Sequence, residues 1–197
     1  MRQLIVGLGN PGAQYVRTRH NVGFRIVEEL GRRHAVTSWR SKFGARIAHL
    51  QQFDAMLVMP QTFMNDSGDA VASTAAFYKI LPQNVFVVCD DIALPFGVLR
   101  LRRDGSSGGH NGLKSVAYAL GTEQYPRLRV GVGRSSSDAI GVVLGAFTSN
   151  EEKALVEVID RAVAGIETFM HGGVEAAIAQ VNANGGEPPS SGDAKPI

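Results

Sequence analysis

The sequence predicts an α/β fold: a single-domain, three-layer sandwich with a central, mostly parallel mixed sheet flanked by helices. Two observations carry this reading. Short apolar, β-branched runs such as "LIVGL" and "NVFVVCD" alternate along the chain with stretches whose apolar residues recur at helical spacing. Two other segments, "GVLRLRR" and "RLRVGVG", alternate apolar and basic residues, as strands buried on one face do. The first of these is expected to pair antiparallel, which makes the sheet mixed.

Taken in order, Leu4 to Leu8 is a buried strand ending in glycines. A first helix begins at about Asn21, carries Val22, Ile26, Val27 and Leu30 on one face and stops at Gly31. "ARIAHL" and "AMLVMP" are two strands joined across Gln51 to Asp54. Asn65, Asp66 and Ser67 offer caps for a helix through Val71, Ala75 and Tyr78 that ends before Pro82. "NVFVVCD" is the strongest strand signal and is placed centrally; it ends in Asp90-Asp91. A helix from Gly112 to about Leu120 separates the two alternating strands. The last long helix opens on a capping box, Ser149 with Glu152 three residues on. Gly172-Gly173 interrupts it, as a plain break or as the hinge of a lid, and a short helix from Val174 to Val181 follows. Residues 184–197 have the Gly, Pro and Ser content of a disordered tail, which leaves 1–183 as the single domain.

With 44% apolar and 19% charged residues, the 197-residue chain has the composition of one soluble globular unit able to bury a full core. No apolar run reaches the ~20 residues of a membrane span. The first residues run straight into a strand, without room for an apolar leader, and Cys89 is the only cysteine. Both features fit a cytoplasmic protein in a reducing compartment. The net charge of +2 hides a segregation. Between Gly97 and Arg134 six Arg and Lys114 face only Asp104 and Glu123, whereas Asn150 to Glu175 is acidic. The basic region is suited to a polyanion.

Three Asn lie where extended segments hand over to loops or helices beside glycines: Asn10 in "GLGNPG", Asn65 in "FMNDSG" and Asn111 in "GGHNGL". In an open α/β sheet such junctions gather at the carboxyl edge of the strands, and neutral amides there can read peptide-like carbonyl and amide groups. Each also has an ordinary use as a cap or turn former. His20 precedes the first helix and Asp90 ends the central strand, so the two can form a general-base dyad in which the carboxylate orients the imidazole. Capping or partial burial is the alternative for a single His. Cys89 reads as a small core residue. His110 orients its loop or meets a phosphate, and the five His show no metal-ligand spacing, so no metal is expected. Arg100 and Arg102 share one strand face, Arg127 and Arg129 repeat the arrangement, and Lys114 extends it. Together they suggest a phosphate-binding strip.

The blocks "VGLGNPGAQYVRTRHNVG", "PQTFMNDSG", "DDIALPFGVLRLRR", "GGHNGLKS" and "RLRVGVGR", in this order, resemble the bacterial peptidyl-tRNA hydrolase family from about Leu4 to Val181. The resemblance implies a monomeric, cytoplasmic, cofactor-free enzyme that hydrolyses the ester between a peptide and the 3′ end of tRNA. By motif, His20 matches the catalytic base and Asp90 the carboxylate that orients it. Asn10 matches the residue that separates blocked from free aminoacyl-tRNA. Tyr15, Phe63, Asn65 and Asn111 match contacts to the tRNA 3′ end or the peptide, and Met64 lines the cleft. Arg102 and Arg129, with Arg100 adjacent, fall where the family is basic near the tRNA 5′ phosphate. Ala93 departs from the pattern, at a position where a further acidic residue is expected.

Two other readings compete. Gly7, Gly9 and Gly12 have dinucleotide-binding spacing, but Glu28 and Glu29 fall inside the first helix and Pro11 removes an amide from the turn. A non-catalytic tRNA-binding protein of the same fold is the other; the presence of His20, Asp90 and all three Asn speaks against it.

Overall fold

The computed structural model describes residues 2–133 and 139–184. Seven strands form one sheet in the order β2-β3-β4-β1-β5-β7-β6. They are β1 (Gln3–Gly7), β2 (Arg40–Lys42), β3 (Ala45–Leu50), β4 (Ala55–Pro60), β5 (Val85–Asp91), β6 (Leu99–Arg102) and β7 (Arg127–Gly131). The four central strands β4, β1, β5 and β7 are parallel, while β2, β3 and β6 run antiparallel to their neighbours. From β1 the chain passes to the edge at β2, steps inward through β3 to β4 beside β1, and then crosses to β5 on the other side of β1. The carboxyl ends of β1, β4 and β5 therefore meet at a reversal of strand order, where open α/β sheets bind ligands.

Alternation along the strands builds two cores. Ile5, Leu57, Phe86, Val88, Leu128 and Val130 face α1 (Val22–Arg33) and α5 (Ser149–Asn184). Leu4, Val6, Val58, Val87 and Cys89 face α2 (Ser67–Tyr78) and α3 (Asn111–Leu120). This gives the expected three layers. Helix α1 sits unusually close to β1, because Gly7 and Gly23 have no side chains: a Cβ on Gly7 would lie 2.3 Å from the Gly23 carbonyl oxygen. The first glycine of the opening motif thus sets how near the start of α1 comes to the sheet.

Two elements lie outside the sequence expectations. Strand β2 is exposed throughout, so it has no apolar face to betray it, and α4 (Ala139–Leu144) is a helix of 6 residues. Helix α1 continues past Gly31 to Arg33. The capping box is shifted by one residue: the Thr148 hydroxyl accepts from the Glu151 amide at 3.3 Å, and the Glu151 carboxylate accepts from the Thr148 amide at 2.7 Å. Glu152 instead pairs with Arg25. The tail expected over 184–197 lies, beyond Asn184, outside the described residues.

The acidic residues of α5 are largely matched within the fold. Glu151 pairs with Arg19, Asp160 with Arg33, Glu167 with His34 and Glu175 with Arg103. At Gly173 (φ 79°, ψ −177°), a left-handed backbone that favours glycine, α5 turns back on itself. Gly165 then meets Val181, and the Thr168 hydroxyl bonds Gln180. The returning segment brings Asn182 to the outer edge of β6. Its Oδ1 accepts from the Leu101 amide at 2.9 Å and its Nδ2 donates to the Leu101 carbonyl at 3.1 Å. One side chain thereby supplies the hydrogen bonds of a missing neighbouring strand. Asn182→Ala is expected to lower stability by about 1–2 kcal/mol in urea unfolding; an unchanged midpoint would show that water replaces the clamp at no cost.

Candidate active site

The carboxyl end of β5 places Asp90 at 2% exposure beneath two imidazoles. His20, on a 3-10 turn (Arg19–Asn21) leading into α1, has Nδ1 2.6 Å from Asp90 Oδ1. His110, the residue before α3, has Nε2 3.0 Å from the same oxygen. The His110 Nδ1 accepts from the Leu113 amide at 3.2 Å. His110 therefore carries its proton on Nε2 and donates it to Asp90. With Nδ1–H of His20 given to Asp90, the His20 Nε2 lone pair is left for a ligand. Burial alone would push the Asp90 carboxyl up, but its interactions with His110 and His20, which both donate to it, outweigh the burial and hold the group well below the usual carboxylate range.

The turn that bears His20 is fixed from both sides. Arg19 donates to the Val132 carbonyl at 3.3 Å and pairs with Glu151 at 2.7 Å. Asn21 clasps the loop after β1: its Oδ1 accepts from the Asn10 amide and its Nδ2 donates to the Asn10 carbonyl, each at 2.9 Å. Asn10, 7% exposed, in turn accepts through Oδ1 from the Met64 amide at 2.8 Å, which leaves its Nδ2 as a donor. Asn65 follows Met64 and Asn111 follows His110, both exposed, on segments that pack against each other. His20 is thus hydrogen-bonded to Asp90, and its chain neighbour Asn21 is hydrogen-bonded to Asn10, while Asn65 and Asn111 are exposed. Tyr15 lies half-buried on the loop between Asn10 and His20. Phe63 exposes 58% of its surface beside buried Met64.

A sequence profile of the family described as peptidyl-tRNA hydrolase matches residues 4–189. The chain belongs to the peptidyl-tRNA hydrolase family. The peptidyl-tRNA hydrolase of Syntrophomonas wolfei is 41% identical over 182 residues, covering 91% of this chain and 100% of that protein. That of Chloroflexus aggregans is 46% identical over 184 residues, covering 91% and 98%. A crystal structure of peptidyl-tRNA hydrolase from Acinetobacter baumannii matches with a TM-score of 0.86 at 35% identity, over 92% of this chain and 94% of that one.

In this member of the family the basic strip is smaller than the sequence suggests. Register puts Arg100 opposite Arg129 and Arg102 opposite Arg127, so all four do share a face. Only the edge strand keeps its arginines exposed. Arg127 lies on an inner strand roofed by the loop from Arg103 to His110 and is 1% exposed, which removes it from the strip. Arg129 is partly covered: its Nη1 lies 3.1 Å from Asp91 and its Nη2 donates to the Ser106 carbonyl at 2.7 Å. Arg100 and Arg102 make no ion pair among the described residues. At the departure from the family pattern, the Ala93 amide donates to Asp91 at 2.8 Å, so this turn is closed from within.

Sequence reasoning gave His110 no place beside Asp90 and no role to Asn21 or Arg19. The signal was present in "TRHN" and "GGHNG", where polar residues crowd a helix start, but their partners are far off in sequence. One ring nitrogen each of His20 and His110 and a carboxylate oxygen of Asp90 lie within 4.8 Å of one another, a donor set that zinc-type ions accept. Hydrogen bonding to one shared carboxylate oxygen accounts for the arrangement.

Proposed function

We propose that the chain cleaves the ester linking a peptide, or an N-blocked aminoacyl group, to the 3′ end of tRNA, with His20 as general base, and so recycles tRNA from prematurely released peptidyl-tRNA. The 2.6 Å contact between His20 and a buried, doubly held Asp90 carries this reading. His20 Nε2 takes a proton from water as the water oxygen bonds the ester carbonyl carbon and the carbonyl electron pair moves onto its oxygen. The imidazolium is stabilised by Asp90. Collapse of the tetrahedral intermediate breaks the bond to the ribose oxygen, which takes the proton back from His20. A free tRNA end and a carboxylic acid leave, and the acid loses its remaining proton to water to become the carboxylate.

Asn111, whose side chain makes no hydrogen bond among the described residues, is better placed to donate to the oxyanion than Asn65, which is engaged with Asp66 at 3.0 Å. Because the Oδ1 of Asn10 is already satisfied, that side chain presents N–H groups to a peptide carbonyl, an acceptor that a free aminoacyl group lacks. The exposed ring of Phe63 offers a stacking face for a base at the tRNA 3′ end, with Met64 and Tyr15 lining the approach. The same reading takes the chain to act as a monomer, and the single cysteine, the buried Cys89, fits work in the cytoplasm. No helix among the described residues is long and apolar enough to cross a membrane.

The deciding assay compares an N-acetylated aminoacyl-tRNA with its free counterpart. Cleavage of the first and sparing of the second is expected; binding without cleavage of either would favour a non-catalytic tRNA binder. Arg100 and Arg102 are assigned to the RNA backbone, with Arg129 behind them. Arg100→Glu with Arg102→Glu should weaken tRNA binding and reduce its salt slope by about 1 for each phosphate that is no longer neutralised. The rate on a minimal ester without an acceptor stem should not change, and an equal decline on both substrates would remove the strip from the reading.

A further inference from the structure

The guanidinium of Arg127 is the largest fully buried side chain among the described residues, and none of their carboxylates pairs with it. It stacks over the Tyr125 ring, 4.1 Å from the centroid. Its N–H groups go to main-chain carbonyls in two separate stretches: Gly105 and Ser106 on the loop entering α3, and Glu123 and Tyr125 on the segment leaving it. Burial pulls its pKa down, the mark of a charge held away from water. Such a charge is expensive to bury, and an apolar residue would fill the space at lower cost. What the guanidinium provides that an apolar side chain cannot is a set of directed bonds to both ends of one connection. Tyr125 adds a third tie, its hydroxyl donating to the Leu113 carbonyl at 3.1 Å in the first turn of α3. The Leu113 amide is the group that holds His110 Nδ1.

We propose that Arg127 and Tyr125 are positioning residues for the reaction: they fix the corner that carries His110 and Asn111 against Asp90, and they make no contact with RNA. The proposal rests on the reading of the site as an ester hydrolase. A lysine cannot reproduce this set of bonds, since one ammonium cannot reach both stretches in the planar geometry of a guanidinium.

The test uses Arg127→Lys and Tyr125→Phe in the full chain. Tyr125→Phe keeps the ring under the guanidinium and removes only the tie to Leu113, so it reports even if Arg127→Lys does not fold. Kinetics on N-acetylated aminoacyl-tRNA should show kcat reduced roughly 10–10²-fold for Arg127→Lys, as for other misplacements of catalytic geometry, and less for Tyr125→Phe. KM and the salt slope of tRNA binding should stay at parental values. In a double-mutant cycle with His110→Ala, Tyr125→Phe should add little further loss, because both act through one group. Amide exchange at Leu113 should quicken in both variants, a readout independent of activity. A raised KM with a flatter salt slope would make Arg127 an RNA contact and overturn the proposal. So would folded variants with parental kcat and parental exchange at Leu113. An inactive parent chain would instead count against the ester-hydrolase reading, and the exchange data would still decide whether the corner is held this way.

Discussion

His20→Ala is expected to lower kcat on an N-blocked aminoacyl-tRNA by about 10²–10⁴-fold, the usual contribution of a positioned general base, with tRNA affinity nearly unchanged. The His20 side chain is 12% exposed and keeps Nε2 without a hydrogen-bond partner among the described residues, whereas the RNA contacts are assigned to the edge strand β6. The turn beneath it is held by Arg19 and Asn21, so the variant should keep its fold and its Asn10 geometry. Parallel measurement of single-turnover cleavage and equilibrium binding separates the two effects. Cleavage at the parental rate would remove His20 from the mechanism.

Asp90→Asn carries the other large effect, and it isolates charge from geometry. Both imidazoles bond the same oxygen, Oδ1, and an asparagine Oδ1 can still accept from each. What disappears is the negative charge that stabilises a protonated His20, and kcat should fall roughly 10²–10⁴-fold. The same group gives a pH dependence with a fixed sign. Its folded pKa lies below the ordinary carboxylate value, so the ionised form stabilises the fold at all pH above the unfolded value of about 3.9 and that stability is lost as pH falls toward the folded value. Urea unfolding should therefore weaken below about pH 4 in the parent, and less steeply in Asp90→Asn. A variant within tenfold of parental kcat would show that orientation alone, without charge, sustains the base.

Much of this was legible in the sequence where local signals decide the outcome. The "VFVVC" run gave a central strand, and "TRH" and "CDD" gave the two residues that meet at 2.6 Å. Legibility failed where burial depends on a neighbour. Arg102 and Arg127 read alike in sequence and occupy opposite positions on one rung, yet one is on an open edge and the other under a loop. His110 was unreadable for a related reason: its partner lies across a strand-to-helix corner whose shape is set by Arg127 and Tyr125, and nothing in "GGHNG" indicates which way the ring turns. Strand β2, polar on both faces, owes its existence to pairing with β3 alone.

The Asn182 clamp also has a consequence in time. Its partner Leu101 lies 81 residues earlier in the chain. On a ribosome adding about 5–20 residues per second, β6 is synthesised some 4–16 s before the side chain that will cover it. Throughout that interval the growing sheet presents an open row of amide and carbonyl groups to other nascent chains. Arg100 and Arg102, which point outward from the same four-residue strand, are then its protection: two positive charges on a short edge discourage a second strand from docking there. The residues assigned to hold RNA in the finished enzyme thus act first as guards of an unfinished sheet.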